Sequence, residues 1–329
     1  MDYVNLGKSG LKVSRLCLGT MTFGSSKWRQ WVLDEKESSE VVQAAVDRGI
    51  NFIDFADFYS IGVSEEVVSR ALSNYQRQNL IYTSKCFYSM SEDVNNRGLS
   101  RKHIFDSIDG SLRRLKTDYL DMFMIHAFDP HTPMEETMSA LHDIVKAGKV
   151  RYIGASTMFA WQFAKMNEVA RVNGWTTFST MQCQLNAAYR EEEREMIPYC
   201  IHEGIAVTPF SPLARGLLSG NASSLRNTSD QFTNFQYGDE VSQNIAKAVA
   251  QVALEKGVSS SQIALAWVMS RKGVTSTLIG VETIEQLDAN IATLNIQISD
   301  EEMQSIDRHY TPCDVINDYV EKRIPRVVL

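Results

Sequence analysis

Short apolar runs recur along this chain, and most of them stop at a polar residue or a glycine. Runs of this kind, bounded by turn residues, read as buried strands. They end near residues 19, 54, 85, 126, 156, 182, 210 and 280. Between them, apolar residues fall at helical spacing. Residues 38–47 carry Val41, Ala44, Ala45 and Val46, and Gly49 stands where a helix stop belongs. Ser100 is placed to cap a helix carrying Ile104, Ile108, Leu112 and Leu115. Further helices are predicted over 65–72, 133–147, 159–172, 191–203, 241–256, 260–271 and 283–294, with another after Ser299. Ser259 with Gln262, and Ser299 with Glu302, have the spacing of capping boxes. Ahead of all this, residues 3–13 read as a hairpin turning on Gly7-Lys8-Ser9-Gly10.

Strands that alternate with helices predict a parallel sheet. Eight such units predict a closed (β/α)8 barrel, an α/β TIM barrel with an N-terminal β-hairpin and extra helices, rather than an open doubly wound sheet. Residues 1–329 are read as one domain. Two stretches break the rhythm: 219–240, rich in Ser, Asn, Thr, Gly and Asp, is read as a long cofactor loop, and the tail 311–329 has no clear pattern. In a barrel the C-terminal strand ends open on one face. Asp54, Tyr59, Lys85 and His126 then share one mouth.

Composition narrows the class. The chain has 329 residues, 44% hydrophobic and 22% charged, with a formal net charge of −7. That acidic balance argues against nucleic-acid binding and against lying on an anionic membrane. No apolar run approaches the roughly 20 residues needed to cross a bilayer, and the N-terminus lacks a secretory pattern. Five cysteines with irregular spacing fit a reduced protein, and a cytoplasmic location is expected. Cys86, beside Lys85, reads as a buried thiol.

A tyrosine, a lysine, a carboxylate and a histidine around one pocket suggest proton transfer to a carbonyl oxygen. Taken singly, each has a plainer reading: a rim tyrosine, an ion pair, a core histidine. All four in order on successive strand ends favour the chemical one. No GxGxxG or GxxxxGK[ST] occurs. A nicotinamide cofactor would need another anion cradle, and Gly216, Gly220, the 219–240 loop and the start of helix 283–294 are candidates. His126 and His131, near Asp129, do not make up a metal ligand set.

Across about residues 3–310 the ordered motifs resemble those of the aldo-keto reductase family. The matching runs are Leu18-Gly19-Thr20-Met21-Thr22-Phe23-Gly24, Asp54-Phe55-Ala56-Asp57-Phe58-Tyr59, Thr83-Ser84-Lys85, Met124-Ile125-His126, Gly154-Ala155-Ser156, Phe210-Ser211-Pro212-Leu213, and Ile279-Gly280 with Glu285-Gln286-Leu287 and Asn290. Tyr189-Arg190-Glu191-Glu192-Glu193-Arg194-Glu195-Met196 resembles the aryl-alcohol dehydrogenase-like branch. The resemblance implies NAD(P)H-dependent, reversible reduction of an aldehyde or ketone, a small-molecule carbonyl substrate. Tyr59 would be the general acid, Lys85 its cationic neighbour, Asp54 the partner of Lys85, and His126 the group that orients the carbonyl. A lysine about 4 Å from the phenolate, at an effective dielectric of about 20, interacts by roughly 4 kcal/mol. That would lower the phenol's pKa by up to about three.

The same resemblance assigns cofactor contacts to Gly19, Thr20, Met21, Asp54, Ser156, Gln182, Phe210, Ser211, Leu213, Gly216, Gly280, Glu282, Gln286 and Asn290. Ser156 and Gln182 would hold the carboxamide, and Phe210 would stack on the nicotinamide. Two positions depart from the family pattern. Thr157 follows Ser156 where asparagine is common, and Glu282 stands where NADP-using relatives of this branch carry arginine. A carboxylate repels a 2′-phosphate and can accept from a 2′-hydroxyl. NADP(H) is the family default, and Glu282 keeps NAD(H) in play. Trp28, Trp31, Phe58 and Phe128 are candidates for an aromatic substrate pocket. Two other readings stay open: a cofactor-binding, redox-sensing regulatory subunit of the same fold, and a Schiff-base lyase using Lys85. The oligomeric state is not legible.

Overall fold

A computed structural model describes residues 1–220 and 231–315. The hairpin pairs β1 (Tyr3–Asn5) with β2 (Lys12–Ser14), Val4 opposite Val13. Eight parallel strands follow: β3 (Leu16–Gly19), β4 (Phe52–Asp54), β5 (Ile81–Cys86), β6 (Leu120–Ile125), β7 (Val150–Ser156), β8 (Thr180–Gln182), β9 (Ala206–Val207) and β10 (Thr277–Ile279). Their order in the sheet is β10-β3-β4-β5-β6-β7-β8-β9. The Thr275 N–H donates to Val207 O at 2.8 Å and the Leu278 N–H to Pro209 O at 2.9 Å. These bonds bring the two ends of the sheet together, so the protein is a (β/α)8 barrel with an N-terminal hairpin.

Two cores explain the strand sequences. Helices outside and side chains inside bury both faces, which is why β5 is buried at every residue and reads as a continuous run rather than an alternation. Inside the cylinder, Cys17, Phe52, Ile81, Met122, Met124, Ala206 and Leu278 pack together with Leu6 and Val13 of the hairpin. The hairpin therefore plugs the N-terminal end. Its turn lies so close to the barrel that a Cβ on Gly7, where φ is +56°, would sit 2.5 Å from Gly204 O. Only the C-terminal end is left for a site.

The helix signals act as read. Ser100 Oγ accepts from the His103 N–H, and both capping boxes form. Several boundaries differ. The helix expected over 191–203 is a single turn, Glu191–Glu193, then a helix Met196–Glu203. Pro198 has no N–H to offer residue 194, so it fits only near the start of a helix. The strand expected to end near residue 210 is two residues long, Ala206–Val207, because Pro209 cannot donate to a ladder.

The expected loop over 219–240 is corrected in part. Residues 214–219 form a tight turn and Gln231–Tyr237 is a helix. Tyr237 is buried, and its hydroxyl accepts from Gln184 Nε2 at 2.6 Å and Asn186 Nδ2 at 2.9 Å. That anchoring is tertiary, so a polar composition gave no sign of it. Residues 221–230 and 316–329, the middle of that loop and most of the expected tail, lie outside the described residues. Among the described residues no helix is long and apolar enough to cross a membrane.

Candidate active site

Three strands deliver three of the four candidates. Asp54 ends β4, Lys85 is the penultimate residue of β5, and His126 follows β6. Lys85 Nζ donates to Asp54 Oδ2 at 2.6 Å and to Phe55 O at 2.7 Å. The Tyr59 hydroxyl lies 3.4 Å from the same nitrogen. Gln182 Nε2, at the end of β8, donates to Asp54 Oδ1 at 2.9 Å. The Tyr59 and His126 rings meet edge to face, with centroids 5.8 Å apart. Residues from four strand ends thus share one cluster.

Tyr59 is carried by a turn, not a strand. The Phe55 N–H donates to Thr83 O and the Asp57 N–H to Lys85 O, so the turn continues along β5. Thr20 Oγ1 donates to Asp54 O at 3.0 Å from the other side. Directly after Tyr59, Ser60 and Ile61 have φ of 50° and 51°. Left-handed backbone at a β-branched residue is strained, at roughly 1–3 kcal/mol. Gly24 lets the β3 loop close over the turn, since a Cβ there would lie 2.4 Å from Ser60 Oγ.

The cluster's charges follow from burial. Burial lifts the Asp54 carboxyl above its usual range, while Lys85 and Gln182 oppose the shift. Burial alone would lower the Lys85 amine; Asp54 and Tyr59 outweigh it and hold the amine charged. Burial and then Lys85 push His126 well down, so its imidazole is neutral. Its Nδ1 is buried without a partner among the described residues. For Tyr59 the expectation of an acidified phenol is corrected. Burial raises it above its ordinary value, and Lys85 only works against that rise. The lysine's charge is already shared with Asp54 at the shorter distance. The phenol is therefore protonated, the form that can give a proton.

The candidate cofactor residues line the same end. Gly19 closes β3, and a Cβ there would press on Ile279 O at 3.3 Å; Thr20 is buried and Met21 half-buried. Ser156 ends β7, its hydroxyl 3.1 Å from that of Thr157. Phe210 is half-buried against the inner core. Beyond it, Ser211, Ala214, Arg215 and Gly216 all have positive φ, around the half-buried Leu213. Such a run of turned backbone amides suits an anion. After β10, Gly280 is exposed, the Glu282 N–H donates to Gln286 Oε1 at 2.8 Å, and Asn290 is buried on the helix Ile284–Ala292. Thr283, at that helix's N-cap, accepts from the Gln286 N–H. A hydroxyl, a half-buried aromatic ring, a run of turned backbone amides and a helix N-terminus at one end of the barrel are groups whose chemistry fits a dinucleotide.

The aromatic candidates separate. Trp28 and Phe58 meet at 5.7 Å, and Phe58 continues to Tyr88 at 5.1 Å and Tyr88 to His126 at 4.8 Å. Trp31 is buried, with the Arg29 guanidinium 5.7 Å from its ring. Phe128 is buried and pairs with the exposed Trp161 at 6.4 Å. Sequence reasoning missed Tyr88, although it stands three residues after Lys85. It also missed two buried acids behind the site, Asp57 and Glu65. Asp57 lay inside a quoted motif, but nothing in its spacing marked it as buried.

Eight parallel strands thus close into a barrel that carries a Lys–Asp pair, a phenol and an imidazole at its C-terminal end. The Aldo/keto reductase family matches residues 15–311, and the chain belongs to that family. It is an NAD(P)-dependent oxidoreductase, and the family works with NADP(H) or NAD(H). The chain is 39% identical to versiconal hemiacetal acetate reductase of Aspergillus parasiticus, over 95% of this chain and 98% of the relative. It is 41% identical to the aldo-keto reductase AMT2 of Alternaria alternata, over 94% and 91%. A putative aryl-alcohol dehydrogenase of Schizosaccharomyces pombe is 39% identical over 95% and 97%.

Proposed function

We propose that this enzyme reduces an aldehyde or ketone to the alcohol, with Tyr59 as the proton donor, and that it runs the reverse reaction when alcohol and oxidised cofactor are supplied. The observation that carries this is a phenol hydroxyl 3.4 Å from a buried lysine, its ring edge-on to the His126 imidazole. Bound NAD(P)H supplies the hydride. His126, uncharged, orients the carbonyl by hydrogen bonding and leaves proton transfer to Tyr59. As negative charge grows on the carbonyl oxygen, the Tyr59 proton moves to it, and the phenolate left behind faces the Lys85 ammonium. In a dry site that attraction is larger than in water. Asp54 keeps Lys85 charged and in place.

Ser156 and Gln182 hold the carboxamide, Phe210 stacks on the nicotinamide, and the backbone around Ser211, Leu213 and Gly216 cradles the pyrophosphate. Gly19, Thr20 and Met21 flank it, and Gly280, Glu282, Gln286 and Asn290 receive the adenosine half. Glu282 favours a free 2′-hydroxyl and so draws preference toward NADH. The aromatic series Trp28, Phe58, Tyr88 suits an aryl carbonyl, in keeping with a relative named as an aryl-alcohol dehydrogenase.

Tyr59→Phe tests the assignment. Turnover of an aromatic aldehyde should fall by about 10²–10⁴-fold. Cofactor fluorescence titration should give an unchanged Kd. Retained turnover would remove Tyr59 from the role. Tight cofactor binding by the unaltered protein, with no turnover across an aldehyde panel, would favour the redox-sensing regulatory subunit instead.

A further inference from the structure

Asp57 lies three residues after Asp54, on the turn that delivers Tyr59, and its carboxyl is 1% exposed. Its backbone N–H donates to Lys85 O at 3.1 Å. Its Oδ2 accepts from Ser107 Oγ at 2.7 Å, and Ser107 belongs to the helix Arg101–Leu115. Its Oδ1 is buried with no hydrogen-bond partner among the described residues. The turn is thus joined to β5 by backbone and hydrogen-bonded to the helix Arg101–Leu115 through this side chain.

The groups facing Asp57 are Cys86 from β5, Glu65 from the helix Val63–Ala71, and Arg114 from the helix Arg101–Leu115. Arg114 is already committed. Its Nε donates to Glu65 Oε2 at 2.6 Å, and Ser84 Oγ donates to Glu65 Oε1 at 2.6 Å. Glu65 therefore has a cation and a hydroxyl in direct contact, while Asp57 has one hydroxyl, the Phe58 backbone N–H, a more distant Arg114 and a like charge nearby. A carboxylate in that setting is costly, and the neutral acid is the cheaper form. Burial pushes Asp57 up to about 7, with Glu65 adding to it, against the opposing pull of the Ser107 hydroxyl, Arg114 and the Phe58 backbone N–H.

We propose that Asp57 is a positioning residue, protonated in the active enzyme, and that its bond to Ser107 pins the turn that sets Tyr59 against Lys85. This rests on Tyr59 as the proton donor. In the neutral form, acid and hydroxyl share an O–H···O bond in the dry layer between barrel and helix. Deprotonation places a second anion beside Glu65. The ionised carboxylate then draws in water, the turn loosens from the helix, and the Tyr59 hydroxyl leaves its position by Lys85. A misplacement of about 1 Å can cost up to about a hundredfold in rate.

The test compares the unaltered enzyme with Asp57→Asn, which keeps the shape and cannot ionise, and with Ser107→Ala. An acid whose pKa is raised by folding stabilises fully below its unfolded value, near 4, and that stabilisation is lost as pH rises through about 7. The melting temperature of the unaltered enzyme should therefore fall relative to Asp57→Asn between about pH 4 and about pH 7 and run parallel to it above that. An infrared band of a protonated buried carboxyl, absent from Asp57→Asn, should fade as pH rises through about 7. The alkaline fall in kcat should be about tenfold shallower in Asp57→Asn at unchanged cofactor KM. Ser107→Ala should lower kcat below about pH 7, where the bond is intact, and approach the unaltered enzyme at alkaline pH, while remaining folded. Melting curves that stay parallel below about pH 7 as well, or no such band at about pH 5, overturn the protonation. Coincident kcat profiles overturn the positioning role. The melting and infrared readouts need no substrate, so a failure of the carbonyl-reduction reading shows separately.

Discussion

The two ends of this barrel are built on opposite terms. At the N-terminal end, Leu6 and Val13 of the hairpin close the cylinder with apolar packing. At the C-terminal end, Lys85, Asp54, Asp57 and Glu65 are all buried. Backbone strain divides the same way. Ser60 and Ile61 follow β4, Thr157 follows β7, and Ser211, Ala214 and Arg215 follow β9, all with positive φ; only Lys116, of the seven such non-glycine residues described, lies ahead of a strand. One end stores stability, and the other spends part of it on holding charges and turns where solvent would not leave them. The division predicts that substitutions will sort by end: loss of stability without loss of chemistry below, and the reverse or both above.

The largest effect is expected for Lys85→Met. It leaves Asp54 buried without its cation, a loss of about 3–5 kcal/mol. Turnover should be abolished as well, measured by denaturant unfolding beside a single-turnover assay. Leu6→Ala should cost about 2–5 kcal/mol through the void left in the plug. Its kcat per folded molecule should stay unchanged; a parallel drop would show that the two ends are coupled. Ile61→Gly should act in the opposite sense. Releasing left-handed strain stabilises by about 1 kcal/mol, net of glycine's own entropy, while kcat falls as the Tyr59 turn relaxes. A destabilised Ile61→Gly with normal kcat would mean that the strain has no bearing on the site. The smallest effect is expected at the rim. Glu282→Arg should move cofactor preference toward NADPH by about tenfold, on the order of one charge-assisted contact. Equal shifts in both dissociation constants would count against Glu282 as the discriminating group.

Much of this was legible because the strand ends carry it. A run that stops at Asp54, Lys85 or His126 marks both a strand and the face on which its last residue emerges. Caps were legible for the same local reason: Ser100, Ser259 and Ser299 bond within three residues of themselves. What escaped depends on contacts between distant segments. Asp57 reaches Ser107 across 50 residues and Tyr237 reaches Gln184 across 53, so neither spacing nor composition reports them. Tyr88 belongs to the ring series only because Phe58, on the turn after β4, and His126, just after β6, come to it from other parts of the barrel. The direction of the Tyr59 shift was misjudged for a related reason. Pair attraction follows from residue types, whereas desolvation depends on how deeply the fold buries the phenol.

The pairing of β3 with β10 has a cost in time. The first stave of the cylinder takes its neighbour from near the far end of the polypeptide, Leu16 beside Thr277. At a synthesis rate of about 5–20 residues per second, one edge of that strand goes without its mate for roughly 10–50 s on the ribosome. Through that interval its unsatisfied backbone invites wrong company. Helices that emerge earlier are the first groups of this chain able to cover that edge until its last staves emerge.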